Sequence, residues 1–455
     1  MPEFSLAEVQ QALGLPAEGG KVSFRGVETD TRKLTGGTLF VAFKGERFDG
    51  ENFLAEAAAR GATGAVVSDS CPGEKLKGAP QVVIRVPDTV KAYQQLAAFH
   101  RRRFELPVIA ITGSNGKTTT KDLTAAVLSA RLKVLKTAAN FNNEIGLPLT
   151  LLQLTPEHEA AVVEIGMRGL GQIAALAPLA APTIGIVTNV GETHIELLGS
   201  LENIAQAKAE LVEAIKPGGT VILNADNRYV AEMKEKVRPG VRVVTFGIEK
   251  AADVQAVNIR QTGGGTLFDC CIGGRLVELH LPMAGRHNVS NALAAIAAGT
   301  VLGLDGREIQ QGLDSLEVTG MRFECSRRGK WEIVNDAYNA SPMSMEAAIT
   351  TLAEVASGRR VLVLGDMLEL GSFAAEAHRK VGRLAAESGA AMLVTCGKMS
   401  ENIALGAEAA GMKEVFRAAD HAAAAAILKE RLRDGDTVLF KGSRGMRMEK
   451  IIDLL

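Results

Sequence analysis

A chain of 455 residues, 47% hydrophobic and 23% charged, exceeds one ordinary core and divides, at roughly 150 residues per domain, into about three. Its net formal charge of -1 offers polyanions no general attraction, which excludes nucleic-acid binding as the main role. The cysteines Cys71, Cys270, Cys271, Cys325 and Cys396 show neither a C-x-x-C pair nor structural-zinc spacing, and the longest uncharged apolar stretch, Ala292 to Leu304, falls short of the ~20 residues of a membrane span.

The first segment, residues 1–87, begins without a basic-then-apolar leader, so a cytoplasmic protein is expected. Its elements are an amphipathic helix around Leu6 to Leu13, an apolar strand Leu39 to Phe43, and a polar loop from Lys44 to Gly50. A helix from Asn52 to Arg60 follows, with Gly61 placed to cap it. Strands at Ala65 to Ser68 and Val82 to Ile84 complete a small α/β unit, and Pro87-Asp88 marks a boundary. The run Arg101-Arg102-Arg103 reads as a solvated helix face.

Residues 88–318 alternate buried strands with helices, the strands falling at Val108 to Ile111, Ala160 to Val163, Thr183 to Thr188 and Thr220 to Leu223. Continuous apolar runs of this kind suit a parallel sheet covered on both faces. The first strand runs into Thr112-Gly113-Ser114-Asn115-Gly116-Lys117-Thr118-Thr119, then a helix with the stripe Leu123, Val127 and Leu128. This is a triphosphate cradle: glycines let backbone N–H groups turn toward phosphate, Lys117 offsets charge, and the Thr118 hydroxyl can hold Mg2+. Ile111 stands where the general G-x-x-x-x-G-K-[ST] loop has its first glycine, and Gly113 does that work two residues later.

Two further strand ends place polar groups where open α/β sheets bind ligands. Glu164 ends one and suits a magnesium ligand, since Mg2+ takes one or two carboxylates besides water and phosphate. His194 follows another. Beyond it, a helix with the apolar stripe Leu201, Ile204, Leu211, Val212 and Ile215 carries Lys208 on the same face, while Glu202, Gln206, Glu210 and Glu213 take the opposite one. A buried lysine loses affinity for its proton, and the neutral amine can react with CO2 to give a carbamate. Snorkelling of Lys208 to the surface is the competing reading.

Residues 319–455 repeat the α/β pattern with strands at Val361 to Leu364, Met392 to Thr395 and Thr437 to Phe440, and a doubly wound domain is expected. The whole is an α/β chain of three domains. A central P-loop parallel-sheet ATPase domain is flanked by the small N-terminal α/β domain and a C-terminal Rossmann-like one. No coiled-coil heptad run is present, and a monomer is expected.

These residues together resemble the Mur ligase family of ATP-dependent peptide-bond-forming ligases over nearly the whole chain. The resemblance rests on Thr-Gly-x-x-Gly-Lys-Thr, Glu164, His194 and Lys208, and on Gly285 to Asn291. It is strengthened by Asn140 to Gly146, Gly166 to Gly169, Asn335 to Pro342 and Phe440 to Glu449, which are similar to the member that adds D-alanyl-D-alanine to UDP-N-acetylmuramoyl tripeptide. The resemblance implies ATP and two Mg2+, with metal ligands Thr118, Glu164, His194 and a carbamylated Lys208. It further implies adenine contacts from Asn288 and Asn291, ribose contact from Asp336 and γ-phosphate contact from Arg322.

By the same resemblance, residues 1–87 hold the uridine nucleotide through Thr31, Arg32, Lys44, Gly45 and Asp49, where Thr31 replaces the usual serine and Glu51 stands where many relatives carry histidine. Asn140, Asn142, Asn143 and Tyr338 join the substrate contacts, and Ser443 and Arg444 are candidates for the incoming dipeptide in residues 319–455. The activity implied passes through an acyl phosphate. Other readings are a related amino-acid ligase of the Mur or folylpolyglutamate synthase type, and a P-loop regulatory ATPase that makes no bond.

Overall fold

The computed structural model describes residues 2–455 except 18, 19, 46, 47 and 273, so Glu46 and Arg47 of the polar loop 44–50 lie outside the described residues. Packing divides the chain into two compact units. Met1–Ala110, Leu132–Gly166 and Ala174–Thr183 form the first; Ile111–Arg131, Met167–Ile173 and Ile184–Leu455 form the second. Both are α/β, with parallel strands separated by helices.

In the first unit, a capping box between Ser5 and Glu8 opens the helix Leu6–Leu13, and Gly14 closes it in the left-handed conformation. The strands Val27–Glu28, Thr38–Val41, Ala62–Ser68 and Val82–Val86 lie side by side in chain order, all parallel. Phe40, Ala65 and Val67 form a core with Leu54 and Ala57 of the helix Leu54–Ala59. The helix read from Asn52 begins instead as a 3-10 turn, Gly50–Phe53, and becomes α-helical at Leu54. The Asp49 carboxylate accepts the Glu51 N–H at 3.0 Å, which tightens that first turn.

Arg101 corrects the reading of the arginine run as solvated. It is buried, and its guanidinium donates to the carbonyls of Ala180, Phe104 and Leu106. Its forked donors satisfy three carbonyls at once, so its charge alone says little about exposure.

In the second unit, Ile184–Val187, Thr220–Asn224, Arg242–Gly247 and the start of Val254–Thr262 are parallel neighbours in chain order. The chain then turns into an antiparallel meander of Val254–Thr262, Gly265–Ile272 and Arg275–Leu281, which no continuous apolar run marks in the sequence. These strands are buried only at intervals, so they lack such runs. Further on, Trp331–Asn335, Thr437–Lys441, Arg360–Gly365, Met392–Cys396 and Val415–Ala418 form a parallel sheet in that order, with Glu324–Arg328 added antiparallel at its edge. Val361, Val363, Val394, Val438 and Phe440 lie in its core. Among the described residues no helix is long and apolar enough to cross a membrane.

Candidate functional site

The glycine turn after the strand Val108–Thr112 is held by the segment that follows Ile184–Val187. Ser114 N–H donates to the Asn189 carbonyl at 2.9 Å, and Asn115 N–H to Asn189 Oδ1 at 2.8 Å. The Thr188 hydroxyl donates to the Asn115 carbonyl at 2.7 Å. Two loop amides expected to turn toward phosphate are therefore engaged inside the protein. The loop leaves no room for larger residues: a Cβ on Gly113 would stand 1.8 Å from Thr188 Oγ1, and one on Gly116, at φ 78°, would stand 2.3 Å from Asn291 Oδ1.

Lys117 opens the helix Lys117–Ser129 and turns its ammonium back onto the carbonyls of Gly113 and Ser114, at 2.8 and 3.1 Å. Thr112, Thr118 and Thr119 are buried, and among the described residues Thr112 Oγ1 has no hydrogen-bond partner.

Lys208 settles the choice between burial and snorkelling. It is 2% exposed in the helix Leu201–Ala214, and among the described residues its amine has no hydrogen-bond or ion-pair partner. Burial, reinforced by the charge of Lys117, holds its pKa well below the usual lysine range. Burial also lowers the pKa of His194; the charges of Lys117 and Lys208 add to this, while Glu369 opposes it. Lys117, His194 and Lys208 thus share one electrostatic neighbourhood. Glu210, read onto the solvent face of the same helix, is instead buried, because its carboxylate accepts the Gly171 N–H at 2.6 Å.

Arg322 reaches the phosphate-loop helix. Its Nη2 donates to Thr118 Oγ1 at 2.8 Å, and its guanidinium lies 4.1 Å from the ring centroid of Tyr338. Its Nε is buried without an acceptor among the described residues. Asp336 pairs with buried Lys441 at 2.6 Å and accepts the Phe323 N–H. Asn288 donates to the Ala284 carbonyl and accepts from Asn291, whose Oδ1 accepts from Thr120. Both amides therefore lie beside the helix Lys117–Ser129. Ser443 is buried, its Oγ accepting the Leu368 N–H at 2.9 Å, whereas Arg444 is exposed and paired with Glu449.

His287, within 3.4 Å of the Thr351 hydroxyl, has its pKa lowered to about 4 by burial, with the Asp336 charge opposing and Lys441 assisting. Its folded pKa lies below the unfolded value of about 6.5, so between these values the unfolded chain binds more protons and stability falls as pH falls. This contributes at most about 3 kcal/mol, less to the extent that the half-buried residue keeps contact with water. Urea midpoints measured at pH 7 and pH 5 are expected to differ less in His287→Gln than in the parent. Equal pH dependence would remove His287 from the effect.

In the first unit, Glu164 is 1% exposed and accepts from Asn142 Nδ2 at 2.6 Å. Asn143 Oδ1 accepts the Gly146 N–H, and Asn140 is exposed. Around the N-terminal sheet, the Thr31 hydroxyl donates to Glu56, Arg32 pairs with Asp30 in solvent, and Asp49 pairs with Lys75 at 2.7 Å. Lys44 bridges to Asp49, and Gly45 N–H donates to the Phe48 carbonyl, closing the polar loop. Glu51 is buried and accepts from Ser68 N–H and Oγ, a structural engagement that occupies its carboxylate.

Sequence reasoning missed three partners of the site. Glu369 bonds His194 Nδ1, Ser341 Oγ donates to Asn115 Oδ1 at 2.8 Å, and Asp122 Oδ2 accepts both the N–H and the hydroxyl of Thr319. Ser341 lies within the quoted run Asn335 to Pro342, which was the available signal. Nothing local marks the other two. A metal-bound triphosphate fits the second unit: among the described residues Arg322 Nε, Glu192 Oε2 and Thr193 Oγ1 are buried and unpartnered, and the Thr118 hydroxyl is a hard oxygen donor suited to Mg2+; in the first unit, the Glu164 carboxylate is a donor of the same kind.

Three family profiles match this chain: "Mur ligase family, catalytic domain" over residues 23–101, "Mur ligase middle domain" over 111–299, and "Mur ligase, glutamate ligase domain" over 321–444. The UDP-N-acetylmuramoyl-tripeptide–D-alanyl-D-alanine ligase of Bacillus subtilis is 41% identical, the match covering 94% of this chain and 92% of that protein. A MurF crystal structure from Acinetobacter baumannii aligns with TM-score 0.90 at 30% identity, covering 100% of this chain and 99% of that one. MurF ligase from Thermotoga maritima, solved in complex with ADP, aligns with TM-score 0.84 at 27% identity, covering 94% and 96%.

Proposed function

The chain belongs to the Mur ligase family, and from that premise we propose how its residues divide the work of an ATP-dependent ligase that adds D-alanyl-D-alanine to UDP-N-acetylmuramoyl-tripeptide. Residues 1–87 grip the uridine nucleotide through Thr31, Arg32, Lys44, Gly45 and Asp49, with Asn140, Asn142, Asn143 and Tyr338 as further substrate contacts. Residues 88–318 bind ATP, and residues 319–455 bind the dipeptide with Ser443 and Arg444 at hand. Asn288 and Asn291 read adenine, each exchanging one of its internal hydrogen bonds, and Asp336 holds the ribose. The reading carries with it a monomeric chain in the cytoplasm.

Two Mg2+ would be held by Thr118, Glu164, His194 and a carbamate on Lys208, supplying charge neutralisation when bound. The carbamate forms when the neutral Lys208 amine adds to CO2 and loses a proton. The terminal carboxylate of the tripeptide then attacks the γ-phosphorus of ATP, ADP leaves, and the amine of the dipeptide displaces phosphate from the acyl phosphate. Carboxylate and triphosphate repel each other, so Lys117 and Arg322 lower the barrier by neutralising the γ-phosphoryl oxygens. Held together, the reactants need not lose their freedom during the chemical step.

One observation carries the assignment: a buried Lys208, without a partner among the described residues, lies within the electrostatic reach of Lys117 and His194. The test is phosphate release from ATP with UDP-N-acetylmuramoyl tripeptide, with and without D-alanyl-D-alanine. Release that needs both is expected. Release with ATP alone would favour the regulatory ATPase, and release with a folate polyglutamate acceptor instead would favour the folylpolyglutamate type.

A further inference from the structure

We propose that Glu369 is a positioning residue, fixing the His194 imidazole with its proton on Nδ1 so that Nε2 is the nitrogen offered to Mg2+; the proposal rests on the reading of His194 as a metal ligand. Glu369 bonds His194 Nδ1. An ionised carboxylate can only accept, so the shared proton resides on the ring nitrogen. Among the described residues Nε2 has no hydrogen-bond partner. Outer carboxylates of this kind select the tautomer and aim of a metal-binding histidine.

The backbone on both sides is arranged for this contact. His194 and Glu369 each sit at φ 62°, in the left-handed region that non-glycine residues avoid. The Glu196 N–H donates to the Glu369 carbonyl at 3.2 Å, tying the two turns together. The loop that delivers Glu369 is braced in turn: Met367 N–H donates to His378 Nε2 at 2.9 Å, Leu368 N–H to Ser443 Oγ at 2.9 Å, and Ser400 N–H to Asp366 Oδ1 at 2.7 Å. Two uncommon conformations meeting at a bond, with this bracing behind one of them, point to a constrained role for the pair. His194 precedes residue 318 and Glu369 follows it, so the imidazole is set only when the 366–369 loop is seated against the turn at residues 194–196.

The test uses the full chain with Mn2+ as the metal probe and a non-hydrolysable ATP analogue, affinity being read by electron paramagnetic resonance. Nitrogen NMR on histidine-labelled protein reports the His194 tautomer. Glu369 has a side chain 41% exposed, so Glu369→Ala is expected to fold, which a thermal melt checks. It should move His194 away from the Nδ1–H form and weaken Mn2+ binding by about 10- to 100-fold, and add nothing in a His194→Ala background. Glu369→Asp should recover part of the affinity. An unchanged tautomer, or an equal loss in the His194→Ala background, overturns the proposal. If His194→Ala weakens Mn2+ binding and Glu369→Ala does not, the positioning role falls alone. If His194→Ala has no effect, the metal reading fails and takes this proposal with it.

Discussion

Replacing Lys208 by arginine is expected to abolish ligation, lowering the rate by at least about 10^2-fold, the effect of losing one well-placed stabilising group. The lysine is 2% exposed, and burial together with the Lys117 charge opposes its protonation. A neutral amine can take up CO2 and become an anion in a neighbourhood otherwise supplied with Lys117 and His194. Guanidinium keeps its proton at all working pH values and cannot form the carbamate. It would also place a fixed positive charge where the lysine can be neutral, so lost activity alone could reflect misfolding. Lys208→Ala removes that ambiguity, because a small added carboxylate such as acetate should restore part of its activity, and it could not rescue an unfolded chain. Phosphate release and peptide product are the measurements. Full activity in Lys208→Arg would take the lysine out of the mechanism.

The features that sequence revealed are those in which local pattern and tertiary role coincide. Continuous apolar runs announced the strands Ala160–Glu164, Thr220–Asn224 and Thr437–Lys441, because a strand of a parallel sheet covered on both faces is apolar along most of its length. Helical spacing put Lys208 with Ile204 and Leu211, and all three are buried. The same spacing misjudged Glu210, since a hydrogen bond from Gly171, on a distant loop, draws it out of solvent. Arg101 was misread for the same reason: its carbonyl partners include Ala180, far along the chain. The meander Val254–Leu281 escaped because alternation is a weaker signal than a solid apolar run. Glu369 was beyond reach, because no periodicity ties a turn after one sheet to a histidine after another.

Arg322→Lys is expected to lower kcat by about 10^2-fold with little change in KM for ATP, even though the charge is kept. The structure gives arginine three features that a lysine cannot combine: Nη2 bonds Thr118 Oγ1, the planar guanidinium lies over Tyr338, and Nε is buried without an acceptor among the described residues. A buried N–H with no partner is unfavourable in the protein alone. A γ-phosphoryl oxygen would satisfy it, and the gain grows as negative charge develops on that group. Position is also prepared, because Thr319, three residues earlier, is tied by its N–H and hydroxyl to Asp122 on the phosphate-loop helix, at 3.0 and 2.7 Å. Lysine supplies a point charge on a flexible stem, which loses the stacking and the fork. Tyr338→Phe keeps the ring and should keep its stacking on the guanidinium, whereas Tyr338→Ala should cost about 0.5 to 2 kcal/mol of the arginine's stabilisation. A tenfold rise in KM with kcat intact would instead make Arg322 a grip on bound ATP, and would leave the transferring phosphoryl group to Lys117 and the metals.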